Sequence, residues 1–65
     1  MKFWIARDIT GELCLYTKKP SITNEPGYAF WNTEEGLSYD INSGLFPEIT
    51  FENSPQQIEF LIKNE

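Results

Sequence analysis

Residues 2–18 constrain the fold more than any other stretch, because they predict a β-hairpin that is apolar on both faces. Two apolar runs, residues 3–6 (FWIA) and 13–16 (LCLY), flank the turn sequence DITG of residues 8–11. Glycine suits the left-handed position of such a turn. Because an isolated hairpin cannot keep two apolar faces dry, we expect later segments to cover both of them.

A three-residue loop at positions 9–11 predicts the register of this hairpin. Ala6 then lies opposite Cys14, and Ile5 lies opposite Leu15. Alternation along each strand puts Phe3, Ile5, Leu13 and Leu15 on one face and Trp4, Ala6, Cys14 and Tyr16 on the other.

Two further strands are predicted after a loop at residues 21–27, which is polar and contains Pro26-Gly27, a pair suited to a type II turn. Residues 28–31 (YAFW) predict a third strand that is apolar on both sides. Residues 37–41 (LSYDI) alternate, so we expect Leu37, Tyr39 and Ile41 to point inward.

The next segment predicts a plug followed by an edge strand. Phe46 in the run LFP is expected to cap one end of the core. Residues 48–52 (EITFE) alternate with only two apolar side chains, which is typical of an edge or half-exposed strand.

The C-terminal segment has two interpretations. Ser54, Pro55 and Gln57 provide the N-cap, first-turn proline and capping-box glutamine of a helix. As a strand, however, the segment places Phe60 on the same face as Ile58 and Ile62, whereas a helix turns Phe60 away. We therefore favour a strand and keep the helix as the alternative.

Together these segments predict an all-β fold of five to six short antiparallel strands, curled into a small barrel or a strongly bent sheet. Sixty-five residues allow a single small domain, residues 1–65, with a thin core. Ten aromatic residues compensate, since each buries far more surface than an alanine would.

Histidine is absent from the sequence, and this argues against catalysis. The commonest general base, the commonest transition-metal ligand and every Ser-His or Cys-His nucleophile arrangement are thereby excluded. The carboxylates of Glu34, Glu35, Glu48 and Glu52 fall in predicted turns or at an edge, where we expect them to be solvated. We therefore predict no enzyme activity, no cofactor and no metal site.

Cys14 is the only cysteine, so no disulfide can form within one chain, which fits a reducing compartment. Its position in an apolar strand predicts a packed thiol rather than a nucleophile. We find no signal peptide and no apolar run long enough to span a membrane, and we expect a cytoplasmic protein without membrane contact.

The charge pattern bears on the choice of partner. The net charge is −5, with four cations in residues 1–19 and a strongly acidic remainder. Such a balance disfavours phosphate backbones, so we do not expect nucleic-acid binding. A single-strand nucleic-acid binder stays an alternative because aromatic residues on a sheet can form stacking platforms, here Trp4, Tyr16, Tyr28, Phe30 and Trp31.

Part of the sequence resembles small uncharacterised proteins of gut bacteria and of their phages and prophages. The resemblance covers about two-thirds of the chain and rests on residues 4–8 (WIARD), Gly11, Leu13, Leu15, Tyr16, residues 19–20 (KP) and residues 45–52 (LFPEITFE). It implies a short protein encoded by a mobile element, with a strand after Pro55. It implies no activity for any residue.

These observations lead to a hypothesis of a non-catalytic protein-interaction module, such as a phage accessory or counter-defence inhibitor. Aromatic anchors within an acidic rim would contact a protein partner of unknown identity. The predicted contact residues are Tyr28, Trp31, Glu34, Glu35 and Tyr39. The alternative is a homo-oligomeric structural protein, since so much apolar strand surface can also be covered by a second copy.

Overall fold

The described part of the chain contains six short β-strands and no helix. The computed structural model describes residues 2–26 and 28–59, and of Tyr28 the main chain. The strands are β1 (Lys2–Arg7), β2 (Leu13–Tyr16), β3 (Ser21–Glu25), β4 (Tyr28–Asn32), β5 (Ser38–Ile41) and β6 (Gln56–Glu59). The predicted all-β class is confirmed.

The strands form two antiparallel sheets. The main sheet has four strands in the order β5-β2-β1-β6, and β3 and β4 form a separate two-stranded sheet. The sheets do not close into a barrel, so the bent sheet is the predicted arrangement that agrees with the structure.

The central hairpin has the predicted register. Ala6 pairs with Cys14 and Ile5 pairs with Leu15. The turn is closed by hydrogen bonds from the Asp8 amide to the Glu12 carbonyl oxygen (2.8 Å) and from the Gly11 amide to the Asp8 carbonyl oxygen (2.9 Å). Gly11 has a φ of +99°, which explains why glycine occupies this position.

The core lies on one face of the main sheet. Ile5 and Leu13 are fully buried there against Ile49, which comes from the segment of residues 42–55. Leu15, Ile41 and Ile58 pack around these three side chains. One face of the hairpin is therefore covered by a segment without regular structure.

Arg7 holds that segment in place. Its guanidinium group donates hydrogen bonds through Nε, Nη1 and Nη2 to five main-chain carbonyl oxygens, those of Gly11, Ser43, Leu45, Phe46 and Ile49. Because the fixed fork of a guanidinium offers five N–H groups, one side chain can satisfy the carbonyl groups of a whole irregular loop.

Ala6 and Tyr16 are buried on the opposite face of the hairpin, where β4 makes contact through Trp31. The Tyr16 hydroxyl donates to the Trp31 carbonyl oxygen (3.2 Å), and the Trp31 amide donates to Asp8 Oδ1 (2.9 Å). Later segments thus contact both faces of the hairpin, although Trp4 and Cys14 on this second face are only partly buried.

Two predictions of local structure are wrong. The predicted loop after Pro20 contains β3, because the main-chain groups of residues 21–25 pair with β4 although their side chains are mostly polar. The predicted strand at residues 48–52 is a turn instead. There the Thr50 amide donates to Asn53 Oδ1 (2.8 Å) and Asn53 Nδ2 donates to the Glu48 carbonyl oxygen (2.8 Å), so side chains replace the ladder partners.

Two predictions of side-chain burial are also wrong. Phe46 does not cap the core but is exposed, with a φ of +50°, and Ile49 takes the core position. Leu37 and Tyr39, predicted to point inward, lie on the core face of the main sheet but are exposed, because the returning segment covers Ile41 and not the beginning of β5.

The C-terminal segment forms a strand as far as the structure describes it. After a cis Ser54–Pro55 peptide bond, β6 pairs with β1, placing Ile58 opposite Phe3 and Gln57 opposite Trp4. The outer edge of β1 supplies ladder partners that a helix could not use. The predicted positions of Phe60 and Ile62 lie outside the described residues.

Candidate interaction surface

β5 is an edge strand of the main sheet. Among the described residues it pairs only with β2, so Tyr39 lies opposite Leu15 and Asp40 lies opposite Cys14. The other side of β5 is a candidate site for main-chain hydrogen bonds to a partner. This β5 edge consists of Ser38, Tyr39, Asp40 and Ile41, with Leu37 directly before them.

The hydrogen bonds between Thr17 and Leu37, just before β5, show which main-chain groups of β5 point toward β2 and which point away. The Thr17 amide donates to the Leu37 carbonyl oxygen (3.0 Å), and the Leu37 amide donates to Thr17 Oγ1 (2.8 Å). Hydrogen-bonding directions alternate along an antiparallel strand, so Tyr39 also faces β2. The N–H and C=O groups of Ser38 and Asp40 therefore point away from the sheet.

Two large apolar side chains accompany this edge. Leu37 is 59% exposed and Tyr39 is 48% exposed. Alternation puts both on the face of the main sheet that carries Ile5 and Leu13. Apolar surface thus lies directly beside outward-facing main-chain donors and acceptors.

Asp40 gives the same edge a negative charge. The Cys14 thiol donates a hydrogen bond to Asp40 Oδ1 over 3.1 Å. Burial, together with this hydrogen bond and the charge of Asp40, raises the pKa of Cys14 to about 12. Burial likewise raises the pKa of the Tyr16 phenol above its ordinary value. Cys14 is consequently a protonated, partly buried thiol.

Asp40 also lines a shallow groove at the far end of β5. The groove has a volume of about 260 Å³ and is lined by Glu12, Leu13, Asp40, Ile41 and Ser43. Its two carboxylates make this end of the β5 edge acidic.

Glu34 and Glu35, two of the predicted contact residues, lie in the connection from β4 to β5. They are exposed and line a groove of about 270 Å³ together with Lys18 and Lys19. The expected acidic rim therefore faces two cations of the same chain, which lowers its net charge.

Gly36 allows this connection to pass close to the end of β2. It has a φ of +82°, and a Cβ atom at this position would collide with Thr17 Oγ1 and lie 2.8 Å from Lys18 Cγ. Only glycine combines this backbone conformation with so close an approach.

Trp31 and Tyr28, two other predicted contact residues, lie in β4. Trp31 is partly buried, and its ring centroid lies 6.3 Å from that of Phe51. Its Nε1 is buried, and no described residue accepts a hydrogen bond from it. The main chain of Tyr28 pairs with that of Glu25.

The structure places the predicted contact residues in separate regions. Tyr39 lies on one face of the main sheet, whereas β4 and Trp31 lie against the other. Glu34 and Glu35 connect the two regions. Of the aromatic residues considered for stacking on bases, Tyr16 is buried, and Lys19 Nζ lies 5.4 Å from the ring centroid of Trp4.

Sequence reasoning missed several exposed apolar side chains. Leu37 belongs to the β5 edge, while Ile9, Leu45 and Phe46 lie near Arg7, where turn and loop meet. The exposure of Ile9 could have been predicted, since this residue occupies the turn between two strands. The exposure of Leu37 depends on where residues 42–55 return, which no local pattern reveals.

Within residues 2–26 and 28–59, no three His, Cys, Asp or Glu side chains are grouped so as to hold a metal ion. Nor do these ranges contain a helix with the length and apolar character that crossing a membrane requires.

In comparisons with protein-family models, curated proteins and solved structures, nothing matches this chain.

Proposed function

We propose that this chain is a non-catalytic protein-interaction module that binds a protein partner through the β5 edge. One observation carries the proposal: Leu37 and Tyr39 are exposed beside a strand whose outer main-chain groups have no ladder partner among the described residues. Proteins commonly protect such edges, because any extended segment can pair with them.

Strand addition is the mode of recognition that this surface fits. An added strand receives main-chain hydrogen bonds from the edge, and alternate side chains provide specificity. Here Ser38 and Asp40 present the main-chain groups, and Tyr39 provides an aromatic anchor of the type enriched at interfaces. Single exposed apolar residues are common on protein surfaces and do not by themselves indicate a binding site. The support comes from their position beside a strand edge without a ladder partner among the described residues.

The biological role we propose is that of a cytoplasmic accessory or counter-defence inhibitor encoded by a phage or another mobile element. It is supported by the resemblance described above, and the absence of histidine from the chain supports a non-catalytic role. Of the predicted contact residues, Tyr39 is the anchor of the β5 edge. Glu34 and Glu35 flank its beginning, and Tyr28 and Trp31 form a second contact region on β4.

A capture experiment tests the proposal. Tagged wild-type protein, the edge variant Leu37→Ser/Tyr39→Ser and the control variant Ile9→Ser/Leu45→Ser are incubated with lysate of the native host. The control removes two equally exposed apolar side chains away from β5. We expect a host protein that is retained by the wild type and by the control but not by the edge variant.

Circular dichroism of all three proteins verifies that they fold alike. Equal retention by the folded edge variant and the wild type would show that β5 is not the binding surface. Retention of no specific protein by any bait would contradict the proposed host factor.

A further inference from the structure

We infer that the β5 edge pairs with the β5 edge of a second copy of this chain, antiparallel, about a two-fold axis that passes beside Tyr39. The inference rests on the proposed function: the same edge that binds a host protein pairs with a second copy when that protein is absent. Three properties of β5 carry it: the direction of its free main-chain groups, the position of its one charge and the exposure of its apolar side chains.

Main-chain geometry restricts the possible registers. A two-fold axis perpendicular to the sheet continues each face of one copy into the same face of the other, so paired residues must share a face. Ser38 and Asp40 carry the outward N–H and C=O groups, which follows from the bonds between Thr17 and Leu37. Three registers pair outward-facing residues. Only the one centred on Tyr39 pairs Ser38 with Asp40 inside β5, whereas the registers centred on Ser38 or on Asp40 need a residue outside Ser38–Ile41 as a partner.

The charge of Asp40 also favours the register centred on Tyr39. A pairing centred on Asp40 places the two Asp40 carboxylates directly opposite each other, and like charges in that position are destabilising. A pairing centred on Tyr39 places Asp40 opposite Ser38 of the second copy. Because the Cys14 thiol occupies Asp40 Oδ1, the other carboxylate oxygen can accept a hydrogen bond from that Ser38 hydroxyl.

The same register also covers the exposed apolar surface. The two Tyr39 side chains become a non-hydrogen-bonded cross-strand pair, the arrangement in which side chains approach most closely. Leu37, which is 59% exposed in the single chain, then faces Ile41 of the second copy. In this one register the outward main-chain groups are hydrogen-bonded, the two Asp40 carboxylates are kept apart and the exposed apolar side chains are covered. The register joins the two main sheets into a continuous sheet.

The size of this contact predicts a reversible dimer rather than a permanent one. Four-residue strands bury less surface than standard stable interfaces, which cover about 1,200–2,000 Å². The molar mass of the purified wild type, measured by light scattering over a wide concentration range, should rise from that of one chain toward that of two.

The variant Ser38→Pro tests the role of β5. It removes an outward N–H from each copy, and proline is tolerated in an edge strand at a position whose N–H faces away from the sheet. Two lost main-chain hydrogen bonds should weaken dimerisation about 30-fold. The matched control Ser38→Thr keeps the N–H and the hydroxyl and should dimerise like the wild type.

Cysteine cross-linking tests the register and does not depend on the proline variant folding. In a Cys14→Ser background, Tyr39→Cys should form a disulfide-linked dimer on treatment with oxidised glutathione, because facing residues bring their Cβ atoms within disulfide range. Asp40→Cys in the same background should not, since it faces Ser38 of the second copy. Cross-linking of Asp40→Cys alone would overturn the register.

The outcomes separate this inference from the proposed function. A wild type with the mass of one chain at every concentration overturns self-pairing, while the proposed function stands if a host protein is still captured through the β5 edge. If the Ser38→Pro variant folds and still dimerises like the wild type, and Tyr39→Cys does not cross-link, the assignment of the interface to β5 is overturned.

Discussion

Arg7 and Ser43 lie 36 residues apart in the sequence, and Arg7 Nη1 donates a hydrogen bond to the Ser43 carbonyl oxygen over 2.9 Å. The same nitrogen donates to the Gly11 carbonyl oxygen over 2.7 Å. One side chain thereby joins the turn of the central hairpin to the segment that covers the core. The Arg7 amide adds a bond to Ser54 Oγ (2.9 Å), near the other end of that segment.

Replacing Arg7 by lysine should lower the free energy of unfolding by about 3 kcal/mol, because an ammonium group cannot reach all of these carbonyl oxygens and several lose a charged donor. Urea denaturation measures the change. The control Lys2→Met removes a cation from an exposed position and should change stability by no more than about 0.5 kcal/mol. Equal effects of the two substitutions would contradict this role of Arg7.

Ile49→Ala should cost about 2–4 kcal/mol of unfolding free energy, because Ile49 is only 4% exposed and packs against Ile5 and Leu13. Phe46→Ala, three residues earlier, removes a larger side chain that is 38% exposed and should cost less. Thermal or urea unfolding of both variants makes the comparison. The reverse order would mean that Phe46, not Ile49, belongs to the core.

Gly36→Ala should be more destabilising than Gly11→Ala, although both glycines have a positive φ. At Gly11 a methyl group meets nothing within 4 Å, so only backbone strain of about 1 kcal/mol is expected. At Gly36 the methyl group also collides with Thr17, which raises the expected loss to about 2 kcal/mol or more. Similar midpoints of urea unfolding for the two variants would refute the close approach.

Cys14 should react slowly with iodoacetamide in the folded protein. Its pKa of about 12, against an ordinary value of 9.0, leaves roughly a thousandfold less thiolate at about pH 8. Asp40→Asn should speed the reaction only in part, because burial is the largest cause of the raised pKa and the carboxylate comes second. A rate in the native protein equal to that in urea would exclude a raised pKa.

The raised pKa of Cys14 also predicts how stability changes with pH. The folded state holds the thiol proton more tightly than the unfolded state, so the stabilisation is complete below about pH 9 and is lost as the pH rises toward about 12. Comparing the wild type with Cys14→Ser by urea unfolding isolates this contribution. The loss of stability with rising pH in this range should be smaller in the variant.

The central hairpin could be predicted from the sequence because its determinants are local. Side chains alternate with a period of two, and the turn around Gly11 sets which residues face each other, so the register of β1 and β2 follows from residues 2–18 alone. That Cys14 and Ala6 share a face follows in the same way. The strand after Pro55 was likewise indicated by the shared face of its apolar residues.

Only the tertiary structure decided how the rest of the chain covers this hairpin. The polar residues of β3 form a strand because β4 supplies main-chain partners, and Ile49 reaches the core because Arg7 gathers the carbonyl groups around it. The apolar alternation of β5 was visible in the sequence, but Tyr39 is exposed because the returning segment covers Ile41 instead. Periodicity determines which side chains share a face, whereas burial depends on contacts between segments that are distant in the sequence.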